Sequence, residues 1–391
     1  MAITGFKNLR SPFYVMVVPE GGGTANLDVW VYNGESERSD STLNAIGADY
    51  SLTSTQSLFY PPLGEYVYIF EISGLVSDYL DTKFTGDFYN DTHVIVSYRS
   101  SETVSDSSII TYATEHYYCV NGYDYFNDDS GYSFNSVINT KTLLQSNNIV
   151  YTYDDHSATF HINTFNTSRV DFYANNESVG SLDVGDWDAV IPPVSTNGSN
   201  VSSASFRDRV LSSNGTIVNN LCFDDFLDSV NIYPADKIVI TDTNGNLETI
   251  TIIPIEECKY EPHKVIFLNR FGVYQELWFF KKSKLKSEFE REYYNNESIF
   301  ARGGRDNHTK ITLNTKSKDS LVLNSGFVDE QYNEVFRELM LSESVFIDYE
   351  DKIMPINIKG DSLDYKTRVN DRLIDYTIEA EFSFSKINNL R

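Results

Sequence analysis

Residues 1–118 show the two-residue alternation of apolar and polar side chains that is typical of β-strands. The runs occupy residues 13–18, 27–32, 66–72 and 93–99. Short strands at this spacing, with polar turns between them, predict a β-sandwich of immunoglobulin-like size. Gly21, Gly22 and Gly23 lie between the first two runs and lack the Gly-Lys-Ser/Thr end of a phosphate-binding loop, so we expect a hairpin turn there.

Residues 119–257 are rich in Asn, Ser and Asp and predict a second β-rich domain with long polar loops. The strongest local signal covers residues 237–253, where two strand-like runs meet at Asn244 and Gly245. Both central positions of a type I′ turn need positive φ, which Asn-Gly adopts with least strain, so a tight hairpin is predicted. Apolar residues at 219–227 are spaced as in a short helix.

Residues 258–391 combine the strand period with one helix period. Runs at 265–269 and 277–280 predict two strands, and alternation from Ile374 to Phe384 predicts a long closing strand. One amphipathic helix is predicted from apolar residues at intervals of three and four, namely Val328, Tyr332, Val335, Phe336, Leu339 and Met340.

The predicted fold is therefore mainly β. Two N-terminal β-sandwich domains, Ig-like or jelly-roll-like, occupy residues 1–118 and 119–257. A C-terminal α+β domain with the amphipathic helix occupies residues 258–391.

Net charge is distributed unevenly along the chain, and it changes near the boundary between residues 257 and 258. Residues 1–257 contain 10 Lys and Arg against 34 Asp and Glu, a balance of −24, whereas residues 258–391 balance at −1. An acidic surface repels phosphate backbones, so we expect no sequence-specific binding of nucleic acid. No run reaches the ~18 apolar residues of a membrane span and the N-terminus lacks a signal peptide, so we expect a chain made in the cytoplasm with no membrane span.

Residues with metal or catalytic chemistry form no complete signature. Asp154, Asp155 and His156 lie close to His161, but a straight strand would place the two histidines on opposite faces. Residues 242–246 resemble the start of a calcium loop, yet Ile253 stands where the closing Glu belongs. Adjacent acids at 128–129 and 256–257 are ordinary in a chain this acidic. We expect no enzyme activity, no metal and no cofactor.

The three cysteines, Cys119, Cys222 and Cys258, are odd in number and far apart. They provide neither a disulfide framework nor paired metal-binding knuckles. We expect buried free thiols.

Two basic features stand out in the nearly neutral C-terminal region. Four lysines follow an aromatic run, and two arginines lie in a polar loop. Such features are either a solvated strand exit and a flexible turn, or a docking patch that binds an acidic neighbour. The docking hypothesis places a partner interface at Trp278, Phe279, Phe280, Lys281, Lys282, Lys284, Lys286, Arg302 and Arg305.

The C-terminal third also carries blocks that resemble a known group of proteins. The blocks are residues 257–283, which read ECKYEPHKVIFLNRFGVYQELWFFKKS, and residues 324–327, 332–335, 363–367, 370–378 and 386–391. They resemble the C-terminal region of virion structural proteins of tailed bacteriophages. The resemblance implies a particle component that assembles in several copies in the tail, neck or baseplate, with other virion proteins and copies of itself as partners. Because residues 258–391 carry the resemblance, the basic run and almost no net charge, we expect this domain to be the one that attaches and assembles.

Other functions remain open beside this one. A capsid decoration protein belongs to the same class. An adhesin would contact a host receptor or glycan through Tyr- and Asn-rich loops, and a glycan-cleaving enzyme is a more distant alternative. The expected location is the virion, after synthesis in the host bacterial cytoplasm.

Overall fold

The computed structural model of the chain describes residues 4–19, 23–33, 38–61, 63–80, 93–104, 109–125, 141–153, 158–163, 166–183, 208–212, 235–295, 310–350, 352–360, 364–365, 373–384 and 386–387. Strands predominate in them, and the mainly-β class is confirmed. They form two compact units. Unit 1 comprises Met1–Val150, Ser157–Ile252 and Leu268–Gln275; unit 2 comprises Tyr151–His156, Ile253–Phe267 and Glu276–Arg391. Both units combine separate stretches of chain, and the three consecutive domains stay a prediction.

The N-terminal part of unit 1 contains short strands and two short helices. The strands are β1 (Gly5–Asn8), β2 (Tyr14–Val17), β3 (Thr24–Tyr32), β4 (Tyr50–Ser54), β5 (Leu58–Tyr60), β6 (Glu65–Glu71), β7 (His93–Thr103), β8 (Ile109–Thr111) and β9 (Glu115–Val120). The helices are α1 (Asp40–Ile46) and α2 (Ser73–Ser77). Ser39 caps α1 by accepting a hydrogen bond from the backbone N–H of Thr42.

These strands form two sheets that face each other. One has the order β1-β9-β7-β3-β4 with β8 beside β7, and the other has the order β2-β6-β5. Apolar residues from the inner faces of both sheets share one core, so this part is a β-sandwich. The hairpin expected at the Gly triplet is wrong, because β2 and β3 on either side of it pair in different sheets; Gly21 and Gly22 themselves lie outside the described residues.

The larger sheet is also buried on its second face. Trp30 and Ile95 pack there with Leu43 of α1 and with Phe271 and Val273. The last two belong to Leu268–Gln275, the stretch of the C-terminal region that is part of unit 1. We call Leu268–Gln275 the hairpin tip, because it joins two neighbouring strands, His263–Leu268 and Tyr274–Phe279.

The middle of the chain forms a five-stranded sheet of order β10-β16-β15-β12-β13 and a separate pair, β11-β14. The strands are β10 (Ile149–Tyr153), β11 (Thr159–Asn163), β12 (Thr167–Ala174), β13 (Glu177–Asp183), β14 (Asp208–Ser212), β15 (Lys237–Asp242) and β16 (Leu247–Ile255). The predicted hairpin of β15 and β16 is confirmed. Its turn type is wrong: Gly245 has positive φ but Asn244 does not, because Asp242 closes a longer turn by accepting from the N–H groups of Asn244 and Asn246.

The C-terminal region forms an eight-stranded sheet of order β18-β17-β22-β23-β25-β20-β19, with β26 beside β20. Its strands are β17 (His263–Leu268), β18 (Tyr274–Phe279), β19 (Lys284–Asn295), β20 (Lys310–Asn324), β22 (Val345–Tyr349), β23 (Lys352–Lys359), β25 (Thr377–Phe382) and β26 (Lys386–Ile387). A short pair, β21 (Val328–Asp329) and β24 (Leu373–Ile374), lies apart from it.

The predicted amphipathic helix is present as α3 (Tyr332–Leu341). Its buried face includes Val335, Phe336 and Leu339. It begins later than the periodicity indicated, since Val328 lies in β21. The single closing strand is wrong, because residues 375–376 separate β24 from β25 and the two strands pair in different sheets.

Candidate assembly surface

The three aromatic residues of the predicted interface are buried within the chain. Trp278, Phe279 and Phe280 expose 8%, 0% and 3% of their surface. Phe279 packs edge-on against Phe336 of α3, with 6.0 Å between ring centroids, and Trp278 contacts Tyr153 at 5.8 Å, all within unit 2. Neighbouring residues of a strand point to opposite faces. Both faces of this run are therefore covered, and the hypothesis of an aromatic docking strand is wrong.

The first lysine of the basic run has a local structural role. Lys281 Nζ lies 2.6 Å from Glu257 Oε2, and this hydrogen bond lowers the pKa of the Glu257 carboxyl. The lysine side chain also lies close to Gly326, whose φ is +71°. Lys281 therefore joins two loops of unit 2, although its side chain stays 45% exposed.

Lys282, Lys284 and Lys286 are exposed. The last two belong to β19, whose twelve residues are all exposed. Lys286 Nζ lies 2.5 Å from Glu288 Oε1, a hydrogen bond that raises the pKa of the lysine and lowers that of the glutamate. Arg302 and Arg305, the remaining predicted interface residues, lie outside the described residues.

β19 and β20 form a long antiparallel ribbon. Their register runs from Lys284 opposite Val322 to Asn295 opposite Lys310, with a bulge between Glu292 and Tyr293. β20 also pairs with β25 and β26, whereas β19 is the last strand of the sheet and pairs with β20 alone among the described strands. An edge strand presents unpaired N–H and C=O groups along one side. We call β19, whose outer side pairs with no other described strand, the ribbon edge.

The two faces of β19 differ in character. Lys284, Lys286, Glu288, Glu290 and Glu292 alternate onto one face. Across the ribbon Glu288 is opposite Lys318 and Glu290 is opposite Lys316, so the acidic residues face basic ones. Lys318 Nζ also lies 3.8 Å from Glu290 Oε1.

The other face of the ribbon edge contains apolar side chains. Leu285 is 53% exposed and Phe289 is 59% exposed. They lie four residues apart on the same face, with Ser287 between them. Exposed apolar side chains that are grouped in this way mark a surface available for a partner.

Sequence reasoning named the lysines of the ribbon edge but missed Leu285, Phe289, Glu288 and Glu290. The signal was present. In residues 284–290, which read KLKSEFE, charged residues fill every second position, which is the period of a strand with one charged face. The pattern has few apolar residues, so it did not stand out as a strand.

The candidate metal and calcium sites of the sequence analysis form no cluster of metal-binding groups in the described residues. Asp154, Asp155 and His156 lie outside the described residues, and His161 is buried in β11. Asp242 is engaged by the turn at Asn244–Asn246, which lowers the pKa of its carboxyl chiefly through the Asn246 amide. In the described part of the chain no group of three or more His, Cys, Asp and Glu residues is placed to hold a metal ion.

Two cysteines can be compared with the expectation of buried thiols. Cys119 is a buried free thiol in the sandwich core, and burial raises the pKa of its Sγ. Cys258 is exposed, so the expectation is wrong there. Cys222 lies outside the described residues.

None of the helices in the described ranges has the length and apolar character needed to cross a membrane.

Comparison with known proteins gives little. No protein-family model matches the chain, and no curated protein matches it. A solved structure of fibronectin(III)-like modules from Clostridium thermocellum CbhA is similar at a TM-score of 0.19 and 10% identity, over 66% of this chain and 91% of that one. A TM-score of this size does not indicate a shared fold.

Proposed function

We propose that this chain is a structural component of a tailed-phage virion, which assembles in several copies in the tail, neck or baseplate through its C-terminal region. The observation that carries the proposal is the ribbon edge. It is a fully exposed edge strand of twelve residues in the same region that resembles phage virion proteins.

The physical argument concerns what an exposed edge does. A long edge strand pairs readily with another chain, so monomeric proteins keep such edges short or cover them. β19 is longer than most strands of globular proteins. Such a strand is suited to a protein whose working state is an assembly, in which a neighbour covers the edge.

The charge distribution supports the same proposal. The chain carries −25 overall, almost all of it in residues 1–257, whereas three exposed lysines, Lys282, Lys284 and Lys286, lie at the start of the ribbon edge and just before it. Acidic regions of neighbouring copies repel each other, so contacts are favoured where basic residues are grouped. The capsid decoration role and the adhesin role stay alternatives without an observation that favours them.

The test is to locate the chain in purified particles of the phage that encodes it. We expect the wild-type chain to co-purify with particles through a density gradient and a high-salt wash, as detected by mass spectrometry. If the chain is found only in the free fraction of the lysate, the proposal is wrong.

A charge variant sharpens the experiment. Lys282→Glu, Lys284→Glu and Lys286→Glu together should reduce incorporation, while the matched control Lys259→Glu, Lys310→Glu and Lys352→Glu, also at exposed positions, should not. Lys281 is left intact because of its bond to Glu257. The whole chain is used, because the hairpin tip is part of unit 1 and a fragment beginning at residue 258 would lose its core partners.

A further inference from the structure

The ribbon edge is complementary to itself. We propose that two copies of this chain pair through β19 in an antiparallel register, with Ser287 of one copy opposite Ser287 of the other. The proposal deepens the proposed function, on which it rests, by naming a second copy of the chain as the partner of this surface. The argument uses the order of residues along β19 and their exposure.

The register follows from the symmetry of such a pair. A two-fold axis perpendicular to the sheet brings each residue opposite one on the same face. With Ser287 at the axis, Lys286 lies opposite Glu288 and Lys284 lies opposite Glu290, and each pair occurs twice. The charged face of the contact therefore consists of opposite charges only.

The apolar face matches in the same register. Leu285 of each copy lies opposite Phe289 of the other, and Ser287, a small residue, lies at the axis. An aliphatic side chain opposite an aromatic one is a favourable cross-strand pair. Both side chains are more than half exposed in the single chain, so pairing would cover apolar surface that is otherwise in water.

Neighbouring registers are penalised by like charges. A two-fold axis at Glu288 places Glu288 opposite Glu288 of the second chain, and an axis at Lys286 does the same for Lys286. An axis at Leu285 places Lys284 opposite Lys286, and an axis at Phe289 places Glu288 opposite Glu290. Like charges directly opposite each other destabilise a strand pair. Only the Ser287 register avoids them among these five, which gives the contact its specificity.

The charged side chains are free enough to make these contacts. Lys286 and Glu288 keep 49% and 50% of their side chains exposed, and Glu290 keeps 68%. In the paired sheet Glu288 would lie between Lys318 of its own β20 and Lys286 of the second copy. Charge would then alternate across three neighbouring strands, which is the favourable arrangement for cross-strand ion pairs.

The test uses two variants of the full chain that are each self-repelling. Lys284→Glu with Lys286→Glu makes the charged face of β19 acidic, and Glu288→Lys with Glu290→Lys makes it basic. Sedimentation velocity over a concentration series should show a reversible dimer for the wild-type chain. Each variant alone should dimerise about tenfold more weakly or worse, because the pairs 286/288 and 284/290 both become like-charge pairs.

The equimolar mixture of the two variants is the decisive arm. Acidic and basic edges oppose each other correctly in this register, so the mixture should form a heterodimer as tightly as the wild-type chain pairs with itself. The matched control, Lys310→Glu with Lys352→Glu, makes the same charge change at exposed positions outside the contact and should dimerise as the wild type does.

The quadruple variant, with all four charges exchanged, keeps the test decisive if one double variant fails to fold. It restores every charged pair between the two copies, whereas positions 288 and 290 then lie opposite Lys318 and Lys316 within each ribbon, so it should dimerise more tightly than either double variant. The proposal is overturned if the wild-type chain stays monomeric throughout the series, or if the folded variants fail to pair when mixed. If the chain pairs in solution but is absent from particles, only the virion role is wrong. If the chain is incorporated into particles but never pairs, only the pairing is wrong.

Discussion

The hairpin tip, Leu268–Gln275, and the ribbon edge strand, Lys284–Asn295, lie close together in sequence and have opposite environments. Both contain aromatic and basic side chains. The described side chains of the tip are buried, including Arg270 at 8% exposure, whereas every residue of the ribbon edge strand is exposed. The comparison shows that composition does not distinguish a core element from a surface element here. The hydrogen-bond partners of the polar groups do distinguish them.

The two side-chain amides of the tip are hydrogen-bonded within unit 1. Asn269 Nδ2 donates to the Leu144 carbonyl at 2.8 Å, and Asn269 Oδ1 accepts from the N–H of Phe271 at 2.9 Å. Gln275 Nε2 donates to Asn147 Oδ1 at 3.0 Å. Gly272 has a φ of +77° and lies against the backbone of Asn121, where a Cβ would come within 3.1 Å. The tip is therefore a specified core element, whereas β19 depends on water or a partner.

The largest expected contrast uses the same substitution in both regions. Phe271→Ala removes a buried ring from the core around Trp30 and should lower the free energy of unfolding by about 3–5 kcal/mol. Phe289→Ala removes an exposed ring and should change it by about 0.5 kcal/mol or less. Urea denaturation of dilute, monomeric protein measures both. Equal losses would contradict the contrast between the two regions.

A smaller contrast is expected for asparagine. Asn269→Leu leaves the Leu144 carbonyl and two backbone N–H groups of the tip without the amide, and should cost about 2 kcal/mol. Asn295→Leu makes the same change at the exposed end of β19 and should be close to neutral. The same denaturation experiment decides the matter, and a neutral result for Asn269→Leu would show that the network does not hold the tip.

The smallest effect concerns acid. The hydrogen bond from Lys286 lowers the pKa of Glu288 below its ordinary value of 4.5, so the ionised form is the bonded one. In the proposed pair the ionised carboxylate of Glu288 also faces Lys286 of the second copy, and this attraction is lost when the carboxylate is protonated as the pH falls through the lowered pKa. The tip contains no carboxyl side chain and should be unaffected by this titration. Sedimentation velocity from pH 7 to pH 3 measures the dimer, and urea denaturation of the monomer over the same range measures the stability of the fold. The dimer should be lost before the fold is destabilised.

The sequence predicted what depends on local periodicity. The mainly-β class, the hairpin of β15 and β16, and the buried face of α3 follow from spacings of two and of three to four residues. The turn of that hairpin was wrong because Asp242 supplies a side-chain acceptor that competes with the Asn-Gly geometry. Asn175 and Asn176, both with positive φ, make a tight turn between β12 and β13 that was missed because no glycine marks it.

What the sequence did not predict depends on contacts between distant residues. The run Trp278–Phe280 has the composition of a binding surface, and only the positions of Phe336 and Tyr153 show that it is core. The tip presents polar residues inside an apolar run, which is typical of an exposed turn, until Leu144 and Asn147 are placed beside it. The lysines of β19 were identified correctly as exposed, but their complementarity to Glu288 and Glu290 needed the strand register.

Amide hydrogen exchange of the full chain at two protein concentrations tests the central claim most directly, namely that the ribbon edge joins copies while the tip is core. At low concentration the outward amides of residues 284–290 should exchange fast and those of the tip slowly. Raising the concentration should slow exchange in 284–290 alone, and the acidic variant Lys284→Glu with Lys286→Glu should show no such change. Unchanged fast exchange in 284–290 at concentrations where the chain dimerises, or fast exchange of the tip, would contradict the account.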